Sequence, residues 1–292
     1  MFTEIVIIFD VILLSWVGIK IFKRSKEINY TPGKYLAWAL FLCAFGIFTY
    51  GMRSAAIQFG PAFYQLDEII YRIGTSINCI GILLAFWFVY KEFTPKLFAQ
   101  ITSIPVFGSL LFLVITTAFL PTMRVVRPAP LEPFRFMMTN YPWQWPLVNQ
   151  AFIFICFLVP LMILGIFLYN ALKTESRAKA LLYGMISPIL LLIGMLGIFK
   201  KPGPPGVVTT SFIPLPFWLA VGILILGLVS LILIVITSRE TRKVVKSLLY
   251  GLGIPLLLIP AVLCAFISPV FARIAFGIGA ILIYKAFGMK IE

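Results

Sequence analysis

Apolar runs of about 20 residues, the length an α-helix needs to cross a bilayer, recur along this 292-residue chain from one end to the other. That repetition constrains the fold more than any other feature. The runs are continuous where barrel strands would alternate polar and apolar residues. A backbone placed in lipid must also satisfy its own hydrogen bonds, which leaves helices. With 61% hydrophobic residues, 12% charged residues and a mean hydropathy of +1.06, the chain carries too little charge for a soluble domain. The expected fold is all-α, a polytopic transmembrane helix bundle of about nine helices, with the lipid bilayer as its first partner.

Nine crossings are predicted, near 3–22, 35–52, 69–90, 97–120, 147–171, 180–199, 213–236, 247–267 and 272–289. Pro255, Pro260 and Pro269 interrupt the last two, which could form a re-entrant pair instead. The chain divides on this basis into a bundle of seven helices, 1–240, and a C-terminal hairpin, 241–292. Of the 24 Lys and Arg residues, sixteen fall in one set of alternate loops and eight in the other. The richer side is expected in the cytoplasm, which puts the N-terminus outside and the C-terminus inside. This loop bias also accounts for the net charge of +14, so no nucleic-acid partner is expected. The first run has neither a basic segment before it nor a small-residue cleavage site after it, and it reads as a retained helix.

The composition excludes more chemistry than it names. Without histidine there is no HExxH metal site, no Ser–His dyad and no bis-histidine haem. Asp10 and Asp67 are the only aspartates, which argues against a dense carboxylate site for a metal or a phosphoryl group. Cys43, Cys79, Cys156 and Cys264 all lie in apolar runs and read as small buried hydrophobes. No metal, no cofactor and no catalytic residue is expected, and the protein is read as a non-enzyme.

A small ionisable set stands out in the outer half. Asp10 lies inside the first crossing, Arg53 ends the second, and Asp67, Glu68 and Arg72 begin the third. Glu68 and Arg72 are four apart and share a helix face. Charges at membrane depth are costly and face the bundle interior or water. Asp10, the deepest carboxylate, is expected to pair with Arg53 or Arg72. The set suits an external polar pocket or a proton site, and it equally suits an ion pair locking the first three helices. The segment from Pro121 to Pro146 adds Arg124, Arg127 and Arg135 among prolines and tryptophans. It suits an anionic ligand or an acidic partner, or a proline-stiffened loop with Trp anchors.

An internal echo links Lys179-Ala-Leu-Leu-Tyr-Gly…Pro188 with Lys246-Ser-Leu-Leu-Tyr-Gly…Pro255, and Lys96 and Pro105 share the same spacing. In each, a basic residue opens the helix and a proline follows roughly 13 Å deeper at about 1.5 Å per residue. Kinks are therefore expected at Pro105, Pro188 and Pro255.

The stretch 177–243 runs Arg-Ala-Lys-Ala-Leu-Leu-Tyr-Gly…Pro188, Lys200-Lys-Pro-Gly-Pro-Pro, Ser211-Phe-Ile-Pro-Leu-Pro, and then an apolar helix ending Arg239-Glu-Thr-Arg242. It resembles the sixth and seventh helices of the seven-helix sensor module at the N-terminus of many microbial histidine kinases. The expected topology of 1–240 agrees with that family. Two further apolar segments follow in place of the family's signalling domains, and the chain has no histidine, so no catalytic residue carries over. The resemblance implies a ligand- or membrane-state-sensing bundle that signals through another membrane or cytoplasmic protein. The alternatives are a transporter or permease for a lipophilic small molecule, which proline-broken helical hairpins suit, and a purely structural membrane subunit.

Overall fold

A computed structural model describes residues 2–58, 63–93, parts of 104–119, 123–128, 135–140, 157–169, 177–198, 210–237, 242–257 and 269–289. Among these residues the chain forms nine helices: α1 (Phe2–Glu27), α2 (Thr31–Gln58), α3 (Tyr64–Phe93), α4 (Phe107–Thr116), α5 (Phe157–Tyr169), α6 (Arg177–Ile198), α7 (Phe217–Thr237), α8 (Arg242–Leu256) and α9 (Pro269–Gly288). Three of them, α1 to α3, are long and apolar enough to cross a membrane. Each predicted crossing overlaps one of the nine.

One element departs from the all-α expectation. Between α4 and α5 the chain makes an antiparallel hairpin of β1 (Met123–Pro128) and β2 (Arg135–Asn140), paired Met123↔Asn140 through Pro128↔Arg135. Its apolar runs are too short for a stable helix, and Pro128 and Pro133 block helical continuation. An antiparallel ladder then satisfies the backbone of β1 and β2.

Local sequence sets the first turn. Asn29 adopts φ 49°, the left-handed conformation that asparagine tolerates better than most residues. Tyr30 N–H donates to Ser25 O (2.8 Å) and Asn29 N–H to Lys26 O (3.3 Å), which is the Schellman arrangement that closes a helix end. Thr31-Pro32 then opens α2, proline being well suited to a first turn. The result is a tight antiparallel α1–α2 pair. At the other prolyl entry, Ala220 N–H donates to Pro216 O (3.0 Å) at the start of α7, and Ile213 N–H donates to Leu196 O (3.1 Å). That contact tucks the 211–216 link against the end of α6.

Helices meet where glycine lets backbones approach. Gly46 of α2 lies against Asn78 and Gly74 of α3, Gly194 and Gly227 join α6 to α7, and Gly253 of α8 faces Gly279 of α9. The pairs α1–α2, α2–α3, α6–α7 and α8–α9 run antiparallel. The α1–α9 pair runs parallel, with Gly277 beside Asp10 and Tyr284 beside Trp16. The bundle thus has an upper end, where α1 and α9 begin, and a lower end, where they finish. The C-terminal pair is part of the main core: Tyr250, Ile254, Phe276, Ala280 and Ile283 share one buried cluster with α1, α2, α3 and α5.

Pro188 lies inside α6, and Pro255 stands one residue before the end of α8. Pro105 falls outside the described residues. The outer surface is strongly apolar. Ile5, Ile8, Phe9 and Ile12 of α1 and Trp218, Ile225, Leu226 and Ile232 of α7 are all more than half exposed, Trp218 at 80%.

A β-carbon at Gly253 would meet Ile283 at 2.9 Å and the Gly279 carbonyl at 3.0 Å, whereas Gly222 has open space around it. Gly253→Val is therefore expected to destabilise the protein by about 1–3 kcal/mol through overpacking, with Gly222→Val much milder. Thermal unfolding in detergent checks this, and equal losses for the two variants would contradict the close α8–α9 crossing.

Candidate functional site

Four of the singled-out charges pair off at the upper end. Arg53, one turn before the end of α2, donates from Nε to Asp67 Oδ1 at 2.8 Å and from a terminal nitrogen to Oδ2 at 3.4 Å. Both side chains are almost fully buried, 7% and 1% exposed. The guanidinium also lies 4.7 Å from the Tyr71 ring centroid, one turn further along α3. This is a two-pronged charge-assisted contact that ties α2 to α3. Arg72 and Glu68 form an i,i+4 pair at 2.8 Å, with side chains 25% and 34% exposed. Solvent screening limits such a pair to about 0.3–0.5 kcal/mol. Next to it lies an open hollow of about 330 Å³ lined by Arg72, Ile73, Ser76 and Ile77.

Asp10 does not join either pair, contrary to the expectation that it meets Arg53 or Arg72. It is 1% exposed and packs against α9, where a β-carbon on Gly277 would stand 3.4 Å from Oδ1. The charge that acts on it is Arg273, one turn earlier on α9. The pairing differs because Asp67, on the neighbouring helix and level with Arg53, takes that guanidinium first. Arg124 and Arg127 lie on β1 and Arg135 on β2. Trp143 and Trp145 lie outside the described residues. Asn78 is buried in the α2–α3 seam, and its Oδ1 makes no hydrogen bond.

The lower end carries a second polar group, which sequence reasoning missed. Tyr30, set by the α1–α2 turn, hydrogen-bonds Glu92 near the end of α3. Lys246, near the start of α8, donates from Nζ to Met289 O (3.2 Å) just past α9. A cation at a helix C-terminus also complements its dipole. Behind these groups the bundle is plugged with rings: Phe88 lies 5.3 Å from Tyr250, and Phe93 lies 4.7 Å from Phe167 and 5.4 Å from Tyr250. Phe88, Phe167 and Tyr250 are fully buried. One signal was present in the sequence: Lys246 and Tyr250 both belong to the internal echo, four residues apart and so on one helix face. Nothing in the sequence marked Glu92 or Arg273 as partners, because both contacts cross between distant helices.

Among the described residues no group of three His, Cys, Asp or Glu side chains is placed to hold a metal ion. No family model, curated protein or solved structure matches this chain.

Removing one partner of the buried pair strands a charge. Arg53→Met is expected to cost about 3–5 kcal/mol, with the double variant R53M/D67L recovering much of the loss. Urea or thermal unfolding of the single and double variants checks this, and no recovery in the double variant would mean that the pair is not the source of the loss. At the lower end, burial and then the Glu92 hydrogen bond raise the Tyr30 phenol above its ordinary value of 10.0. A raised value contributes stability that is fully present below pH 10.0 and is lost as pH climbs above it. Tyr30→Phe is therefore expected to flatten the alkaline decline in melting temperature, and an unchanged decline would rule out that linkage.

Proposed function

We propose that this chain is a non-enzymatic multi-pass membrane protein of receptor or sensor type, with its N-terminus outside and its C-terminus in the cytoplasm, signalling through a partner. The apolar exterior supports membrane insertion. Soluble monomers rarely expose contiguous apolar patches beyond a few hundred Å², and here whole faces of α1 and α7 are apolar and exposed. The parallel course of α1 and α9 agrees with an odd number of crossings. The upper end then faces outside and the lower, Lys-rich end faces the cytoplasm.

The observation that carries the receptor assignment is the asymmetry between the two ends. The cytoplasmic half is closed by the Phe88, Phe93, Phe167 and Tyr250 rings. The outer half holds the buried Arg53–Asp67 pair and the partly exposed Glu68–Arg72 pair. A permease needs a polar path through the centre. A receptor needs an outer site and a closed inner half whose helix ends a partner can read. Ligand occupancy shifts such a bundle only by the difference in its affinity for the two states.

Purification from native membranes in mild detergent, followed by mass spectrometry of what accompanies the chain, tests the assignment. A stoichiometric protein partner is expected, with its recovery reduced by charge reversal at Lys91 or Lys285. A lone protein carrying a lipophilic small molecule that it moves across reconstituted vesicles would overturn the receptor assignment in favour of transport.

A further inference from the structure

The lower ends of α1 and α9 carry a feature that neither the ion pairs nor the ring plug uses. The two helices run parallel, and both change character at one level. Along α1 the exposed apolar residues Ile12, Trp16 and Ile19 give way to exposed Lys20 and Lys23. Along α9, exposed Ile278 and Ile281 give way to Tyr284 and Lys285. At the change the Trp16 and Tyr284 rings meet across the groove, their centroids 5.0 Å apart. Both rings remain open to the outside, at 44% and 39% exposure. Lys20 Nζ stands 5.8 Å from the Trp16 ring centroid, and Lys23 follows three residues on, on the same face of α1. Gly288, one turn past Tyr284, comes level with Lys20, and a β-carbon there would meet open space among the described residues. No carboxylate among the described residues is ion-paired with Lys20 or Lys23. The groove thus offers a shelf of two rings, two amines below it, and room beside them.

We propose that the lower end of the α1–α9 groove is a headgroup site for an anionic phospholipid, its phosphate held by Lys20 and Lys23 below the Trp16–Tyr284 shelf and its chains lying along Ile12 and Ile281. A ligand for this place needs an apolar body and an anionic head. An acidic peptide or a free phosphate would meet the lysines but make no use of the apolar groove above them. Trp and Tyr rings settle where hydrocarbon gives way to headgroups, and a lysine lays its stem along that boundary with its charge in the polar layer. The ammonium is a compact charge with rotatable donors, suited to phosphate oxygens. A choline headgroup would bring its own cation up to the two amines, so a lipid with net negative charge is preferred. The site rests on the membrane insertion proposed above and is independent of the receptor assignment.

Native mass spectrometry of the intact protein in detergent, offered equal amounts of phosphatidylglycerol and phosphatidylcholine with the same chains, reads which lipid occupies the one-lipid complex. The wild-type protein is expected to favour phosphatidylglycerol by roughly fivefold or more, about the factor one lysine contributes beside an anionic lipid. Lys20→Gln should cut that preference by about half or more, and Trp16→Leu should lower it as well. Lys26→Gln removes the same charge from another face of the same helix end and should leave the preference in place. Equal binding of the two lipids by the wild-type protein would overturn the site. Equal losses from K20Q and K26Q would also overturn it, assigning the preference to the overall charge of the lower end. Displacement of the lipid by added inorganic phosphate would make the lysines a free-anion site instead. A protein that stays soluble and free of lipid without detergent would overturn the membrane insertion itself, whereas a detergent-dependent protein with no lipid preference would overturn the headgroup site alone.

Discussion

The Arg53–Asp67 contact governs the upper half of this bundle. A guanidinium and a carboxylate taken out of water at 2.8 Å hold each other in place, because opening the pair would leave two buried charges unmatched. Tyr71 closes over the cation, and the pair fixes the end of α2 against the start of α3. With those two partners committed, Asp10 is left to pack against α9 beside Gly277.

The lower half is held by a different interaction. Ring-on-ring packing among Phe88, Phe93, Phe167 and Tyr250 joins α3, α5 and α8, at about 0.5–1.5 kcal/mol per contact beyond area burial. The polar groups there sit at the edge of the plug and tie helix ends together: Tyr30 with Glu92, and Lys246 with the Met289 carbonyl. Buried ionic contacts thus lie above a packed aromatic floor. That order suits a protein that registers conditions at one end and presents a surface at the other.

The helices were legible because each apolar run is long and bounded by charge, proline or asparagine. The α1–α2 turn is an example: the residues Ser25 to Pro32 close one helix and start the next using only local hydrogen bonds. The hairpin at 123–140 was not legible, since short apolar stretches between prolines do not announce whether they pair. The same division holds at the site. Glu68 and Arg72 were readable as a pair because four residues set them on one face. Arg53 and Asp67 stand out in the sequence but are not joined by it, and Arg273 counts there only as one of the eight basic residues of the sparser loops, because helix-to-helix neighbours are decided by packing. Glycine positions such as Gly277 and Gly253 settle that packing, and their consequence appears only when both helices are present.

An outer site and an inner partner-facing surface both require that the two ends of the bundle lie on opposite sides of a bilayer. Single cysteines placed at Gln65 and Ser211 of the upper end, and at Asn29 and Lys91 of the lower end, can be tested with a membrane-impermeant thiol reagent on intact cells and on opened membranes. Labelling of the upper pair from outside, with the lower pair reached only after opening, is the predicted result. Labelling of Asn29→Cys or Lys91→Cys from outside, or recovery of the protein from the soluble fraction, would contradict it.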